Sequence, residues 1–174
     1  MAPMRCTMPL RCDGKFTILV LSDTHGNYPA AVRGVEMSPE ADLIVHLGDT
    51  VEDARMLELA CGRSVVRVSG NCDPSDSEPR ELTLQAAGMT ILACHGDLYG
   101  VKGGTSRLRS RAAAAGATVA LFGHTHLPCV ERASGILLVN PGTMKEGIFP
   151  KTFALVTLQD GAAAAEIAEL PHGI

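Results

Sequence analysis

Tryptophan is absent, and aromatic residues make up only 3% of the 174-residue chain. That leaves little material for stacking bases or sugars. There is no basic excess either: the formal net charge is -4 and the pI about 5.8. A broad electrostatic nucleic-acid face is ordinarily net basic, so nucleic acid is not expected as a partner. The six cysteines, Cys6, Cys12, Cys61, Cys72, Cys94 and Cys129, form no C-x-x-C pair. Zinc-ribbon and thioredoxin-type motifs are thereby excluded. Several of these cysteines lie inside apolar runs and read as reduced, buried thiols of a cytoplasmic protein. Long hydrophobic runs are missing. The longest weakly apolar stretch, 112–122, falls short of the ~20 residues that a membrane span needs and breaks at Gly116. The N-terminal MAPMRCTMPLRCDGK has no continuous apolar core, so no secretory signal is read there.

What is present suits one domain with its own core, at 46% hydrophobic and 20% charged residues. Residues 1–14 mix Pro, Cys, Met and Arg without period and read as an N-terminal extension or edge segment, with 15–174 as the domain. The run 16–21 is apolar and β-branched throughout, the pattern of a strand covered on both faces. Pro29 suits the first turn of a short helix through Val35. Strands are expected at 43–47 and 64–68, with a helix over 52–60 that Gly62 can end. This strand–loop–helix rhythm implies parallel pairing. Residues 81–86 and 89–94 read as a hairpin turning at Ala87-Gly88. A helix over 105–115 and strands at 118–122, 129–132, 136–139, 153–158 and 164–170 complete the chain. Its back half is richer in antiparallel pairing. The fold class is α/β.

Residues of metal-ligand type recur where strands end. Asp23 and His25 follow the first strand, Asp49 the second and Asn71 the third. His95 follows a later strand, and His124 and His126 the next. In open α/β sheets ligands bind beyond the carboxyl ends of the strands. Five strand ends therefore deliver seven oxygen or nitrogen donors to one edge. Asp23/His25 and His124/His126 would each project to one side if the backbone stays extended. A lone strand-end Asp, Asn or His is ordinarily a turn residue or a satisfied polar group. Chance placement does not account for all seven. His46 lies inside its strand and His172 near the end of the chain, so His46 reads as a supporting residue and His172 as solvated.

Asp23-Thr24-His25, Gly48-Asp49, Gly70-Asn71-Cys72-Asp73, His95-Gly96 and Gly123-His124-Thr125-His126 resemble the ordered signature of the calcineurin-like metallophosphoesterases. Asn140-Pro141-Gly142 also matches. Length and the Gly-Asn-Cys-Asp wording are most similar to the YfcE-like small phosphodiesterases. The resemblance implies a four-layer α/β/β/α sandwich of two mixed sheets flanked by helices. It implies a dinuclear metal site: Asp23, His25 and His126 on one ion, Asn71, His95 and His124 on the other, and Asp49 bridging. The implied reaction is in-line attack of a bridging hydroxide on a phosphate diester. Asp49, Asn71, Cys72 and His124 are the catalytic candidates. Imidazole, carboxylate and amide ligands suit Mn first, with Fe, Ni, Co or Zn admitted, rather than a Ca or Mg cage. The expected partner is a small phosphate ester, with a dimer or tetramer left open.

Three departures stand out. Many relatives carry His where this chain has Cys72; a thiol is a poor acid at neutral pH, which favours diesters over monoesters. Asp97 replaces a second His and is expected to orient a ligand histidine. The acid after Gly48-Asp49 falls at Glu52 or Asp53. Lys102-Gly103-Gly104-Thr105 reads as a helix cap, and Arg107, Arg109 and Arg111 as a solvated surface. The alternatives are a phosphomonoesterase, or a non-catalytic interaction scaffold like the retromer subunit of the superfamily. All seven ligand positions are intact here, which favours the enzyme.

Overall fold

The computed structural model describes residues 4–5 and 14–171. The expectations for Cys6, Cys12, His172 and most of the extension lie outside the described residues. The strand β1 (Met4–Arg5) pairs in parallel with β5 (Glu81–Ala86), so this part of the extension is an edge segment.

The continuous apolar runs alternate between two buried faces. Within β2 (Phe16–Leu21), Phe16, Ile18 and Val20 enter one core cluster, while Leu19 and Leu21 enter another. That is the two-residue period of a strand with no solvent face. β2 pairs in parallel with β3 (Leu43–His46), and β3 with β4 (Val65–Arg67). The crossovers are α1 (Tyr28–Glu36) and α2 (Val51–Cys61), whose Ala30, Ala31, Ala54 and Leu57 pack on Leu19, Leu21 and Ile44. Pro29 sits in the first turn of α1, and Gly62 ends α2 at φ 64°.

β6 (Met89–Cys94), β7 (Val119–Leu121) and β9 (Ile136–Asn140) run parallel in the second sheet, with β5 and β8 (Cys129–Ala133) antiparallel at its flanks. Helix α3 (Ser106–Ala114) covers its outer face through Leu108 and Ala112. Full burial of Leu108 contributes ~1.5–3 kcal/mol. The hairpin of β10 (Thr152–Gln159) and β11 (Ala162–Glu169) closes the first sheet against β2. The strand orders are β11-β10-β2-β3-β4 and β1-β5-β6-β7-β9-β8. Ile18, Val20 and Val45 meet Ile91, Ala93, Val119 and Val139 between the sheets. The expected four-layer sandwich is the architecture found.

Element ends agree with expectation to within one residue, except at the last hairpin, where the final strand begins two residues early. There Asp160-Gly161 is a two-residue turn with φ 51° and 75°, which extends both strands beyond the apolar runs that announced them.

Candidate metal centre

Nine non-glycine residues have positive φ among the described residues. Ala87, Ser134 and Asp160 are hairpin turns. The other six are Asp23, His25, Asp49, Thr50, His124 and His126, all at one edge of the sandwich. The expectation of extended backbone at the two i, i+2 pairs is therefore corrected. Each of the four residues is in the left-handed region, at φ 54°, 46°, 68° and 61°. Such residues cost ~1–3 kcal/mol each and persist where surrounding contacts over-determine them.

Those contacts are specific. Asp73 accepts backbone N–H groups from Asp49 (3.0 Å), Thr50 (3.0 Å), Val51 (2.7 Å) and Gly70 (2.8 Å). Asp53 accepts from Gly26 N–H at 2.7 Å. Thr143 Oγ1 donates to Asp23 O at 2.9 Å, and Asn140 Nδ2 to Gly123 O at 2.9 Å. His46 is fully buried, and burial holds its pKa down to about 4. Its Nδ1 accepts Gly48 N–H at 3.2 Å, so the neutral ring carries its proton on Nε2, which faces Thr24 Oγ1 at 3.2 Å. The Thr24 hydroxyl in turn donates to Asp49 O. Gly70 lies so close beneath Asp49 that a Cβ there would collide with Oδ1.

Side-chain donors converge above this frame. His25 Nε2 and His126 Nε2 face each other at 3.3 Å, and His95 Nε2 and His124 Nδ1 at 3.1 Å. Asp49 Oδ1 lies 3.4 Å from His95 Nε2, and its Oδ2 lies 3.7 Å from His25 Nε2. Asp23, His25 and His126 form one group whose ligand atoms all lie within 4.8 Å of one another. Asp49, His95 and His124 form a second, and His25, Asp49 and Cys72 a third. Asp23 Oδ1 is buried without an aligned hydrogen-bond donor, 3.1 Å from His126 Nε2. Two ligands at about 2.1 Å from one ion at 90–109° stand roughly 3.0–3.4 Å apart. The orphaned oxygen and the opposed imidazoles thus fit divalent metal.

The electrostatics of the site's side chains follow from burial and proximity. Burial opposes ionisation of Asp49, but His95 and the Cys72 backbone N–H, donating at 2.9 Å, outweigh it and hold the carboxyl well below its usual range. Asp23 is likewise lowered, with burial overcome by contact with His126 and by the charge of His95. His25 and His124 are pushed down, chiefly by burial, which favours the neutral ligand form. Burial would also lower His95, but Asp49 and Asp23 raise it overall. His95 Nδ1 stands 2.8 Å from Leu47 O, which directs Nε2 into the site. Burial and the neighbouring Asp49 push the Cys72 thiol up, so it is neutral at pH 7.

Six of the seven expected ligands fall into the groups of converging side chains. Asn71 is exposed on the same loop as Cys72, and its amide nitrogen donates to Cys72 Sγ at 3.5 Å. Asp97 is a correction: it pairs with Arg80, which also donates to Gly70 O, and the ring of His95 is oriented by Leu47 instead. Between Glu52 and Asp53, the strut is Asp53; Glu52 is exposed and pairs with Arg55. Thr105 occupies the cap position of α3 but makes no side-chain cap bond. Arg111 is not merely solvated, since it pairs with Glu81, which also accepts from Tyr99 OH. The sequence reading passed over the role of Asp73. Its signal was an acid three residues beyond Gly70, in a loop that must meet the N-terminus of α2.

A family model described as "Calcineurin-like phosphoesterase superfamily domain" matches residues 16–161. The chain belongs to this metal-dependent phosphoesterase superfamily. It is 34% identical over 149 residues to a probable metallophosphoesterase, YsnB, from Bacillus subtilis, covering 84% of this chain and 86% of that one. It is 26% identical to the phosphodiesterase YfcE from Escherichia coli K12, covering 88% and 98%. A predicted phosphoesterase from Streptococcus pneumoniae TIGR4 has the same fold, with a TM-score of 0.76 at 26% identity over 89% and 90% of the chains. Vps29 complexed with zinc, from Entamoeba histolytica, superposes with a TM-score of 0.70 over 88% and 99%, at 17% identity, a likeness of fold alone. Superfamily members act on small phosphate esters. No helix among the described residues is long and apolar enough to cross a membrane.

Proposed function

We propose that the chain is a dinuclear metal-dependent phosphodiesterase of the cytoplasm. Asp23, His25 and His126 would hold one ion, and Asn71, His95 and His124 the other, with Asp49 bridging. The observation that carries this is Asp49: its two oxygens face histidines of the two different groups. Two divalent ions, when bound, polarise phosphoryl oxygens and supply an activated water at neutral pH. Mn is our first choice of metal. The free thiols Cys61, Cys72, Cys94 and Cys129 suit a reducing compartment.

The chain's own residues bear on substrate class. Beside the donors stands Cys72, whose thiol is a weak proton donor and whose thiolate form would be no proton donor at all. A poor leaving group would depart there without an effective protein acid, so diesters with stable leaving groups are favoured over monoesters. Likeness to Vps29 supports the scaffold reading only at the level of fold. Because one such protein is described with zinc, metal content alone does not separate the two readings; turnover does. The test is hydrolysis of bis(p-nitrophenyl) phosphate against p-nitrophenyl phosphate, with each divalent metal in turn. Diester turnover that Asp49→Ala reduces by orders of magnitude supports the enzyme. Folded, metal-loaded protein without turnover supports the scaffold.

A further inference from the structure

The chain has four phenylalanines. Phe16, Phe122 and Phe153 are buried at 1%, 2% and 1% exposure, as the hydrophobic effect requires. Phe149 is 49% exposed. It lies in the irregular segment 145–150, and with Ile148 and Lys145 it lines a cavity of about 200 Å³. His126 and Thr143 line the same cavity. His126 belongs to the donor group with Asp23 and His25, and Thr143 is bonded to the backbone of Asp23. The cavity and the candidate metal centre therefore share His126.

The segment is anchored to that centre. Asn27, two residues beyond His25, donates to Met144 O at 2.7 Å and to Glu146 Oε1 at 3.0 Å. Glu146 also pairs with Lys151 at 3.0 Å. Lys145 N–H donates to Thr143 Oγ1 at 3.1 Å. Glu146 and Gly147 complete the lining, and the Glu146 carboxylate is paired with Asn27 and Lys151, so the cavity combines the apolar Phe149 and Ile148 with Lys145 and a paired acid. A phosphoryl group seated on the donors would have its organic substituent beside His126, which the cavity shares. The volume equals six or seven waters at ~30 Å³ each, which admits one ring.

We propose that this cavity is the subsite for the organic half of the substrate, and that the preferred substrates are phosphate esters carrying a flat, uncharged ring that packs on Phe149 beside His126. Lys145 supplies a positive charge toward the ester's anionic oxygens, and Ile148 covers the ring's edge. The inference rests on the reading of the centre as a phosphoester site. An aryl group and a pyrimidine base offer the same flat face and are the two sources of such a ring.

Calorimetry on the manganese-loaded protein tests this without turnover, using inorganic phosphate, methylphosphonate and phenylphosphonate. Phenylphosphonate is expected to bind roughly tenfold more tightly than methylphosphonate, from ring packing. The preference is expected to disappear in Phe149→Ala and to return in Phe149→Tyr. Phe149 is half exposed, so these variants should fold. Leu59→Ala, on the exposed face of α2, should keep the preference. Equal binding of the two phosphonates, or a preference that survives Phe149→Ala, overturns the subsite while leaving the phosphoester site intact. If none of the three anions binds, the reading of the centre falls and the subsite with it. A second arm titrates phenylphosphonate and the 5′-phosphonate analogue of thymidine 5′-phosphate against methylphosphonate, which carries no ring. Tighter binding of either ring compound than of methylphosphonate supports the proposal and names the ring's source; tighter binding of neither overturns it.

Discussion

Asp73 accepts the backbone N–H of Asp49 at 3.0 Å, so the carboxylate that faces both histidine groups is itself seated by a second carboxylate. The same side chain holds Thr50, at φ 85°, and Val51 at the start of α2. Replacing an acceptor oxygen by a donor would turn an N–H group against the backbone N–H groups it now binds. Asp73→Asn is expected to lower stability by ~1–3 kcal/mol and manganese affinity by ~10–100-fold. Urea unfolding and metal titration read the two effects separately. Unaltered affinity would mean that the Asp49 loop holds its shape without Asp73.

Cys72 gives the second prediction. Its backbone N–H binds Asp49 Oδ1, and its side chain, as thiol or as thiolate, is no effective acid at pH 7. An imidazolium at this position could protonate a departing oxygen, a contribution typically worth ~10²–10⁴-fold. Cys72→His should therefore raise monoester relative to diester hydrolysis, and Cys72→Ser should change the ratio little. The measurement is kcat/KM for a matched aryl monoester and diester at fixed manganese. A ratio indifferent to His would assign substrate class to the surrounding loops.

Much of this was legible in the chain. Continuous apolar runs gave strands buried on two faces, and the recurrence of Asp and His at strand ends pointed to the side chains that converge in the candidate site, because parallel strands bring their carboxyl ends to one edge. Spacing along the chain could not reveal the left-handed backbone at Asp23, His25, His124 and His126, which tertiary hydrogen bonds impose. Nor could it pair Asp97 with Arg80 or Arg111 with Glu81, since each partner is 17 or 30 residues away. Asp73 belongs to the Gly70-Asn71-Cys72-Asp73 motif, yet its four backbone partners lie on two loops that only the folded sheet brings together.

His46 makes stability depend on pH. Burial lowers its pKa from 6.5 to about 4 in the folded protein. The unfolded chain takes up the proton first, so this contribution is complete above about pH 6.5 and is lost as pH falls toward 4. The loss amounts to about 3 kcal/mol. Urea unfolding of the wild type and His46→Gln at pH 7.5, 6 and 5, at fixed metal, should show a steeper decline in the wild type. Parallel curves would mean that His46 is not held neutral.

The central claim is that catalysis requires two ions on these seven residues. Metal-free protein titrated with manganese, with hydrolysis of bis(p-nitrophenyl) phosphate read at each addition, tests it most directly. The account predicts little turnover until the second equivalent binds, and a plateau at two ions per chain. Full activity at one equivalent, or a saturated site with no turnover, would contradict it.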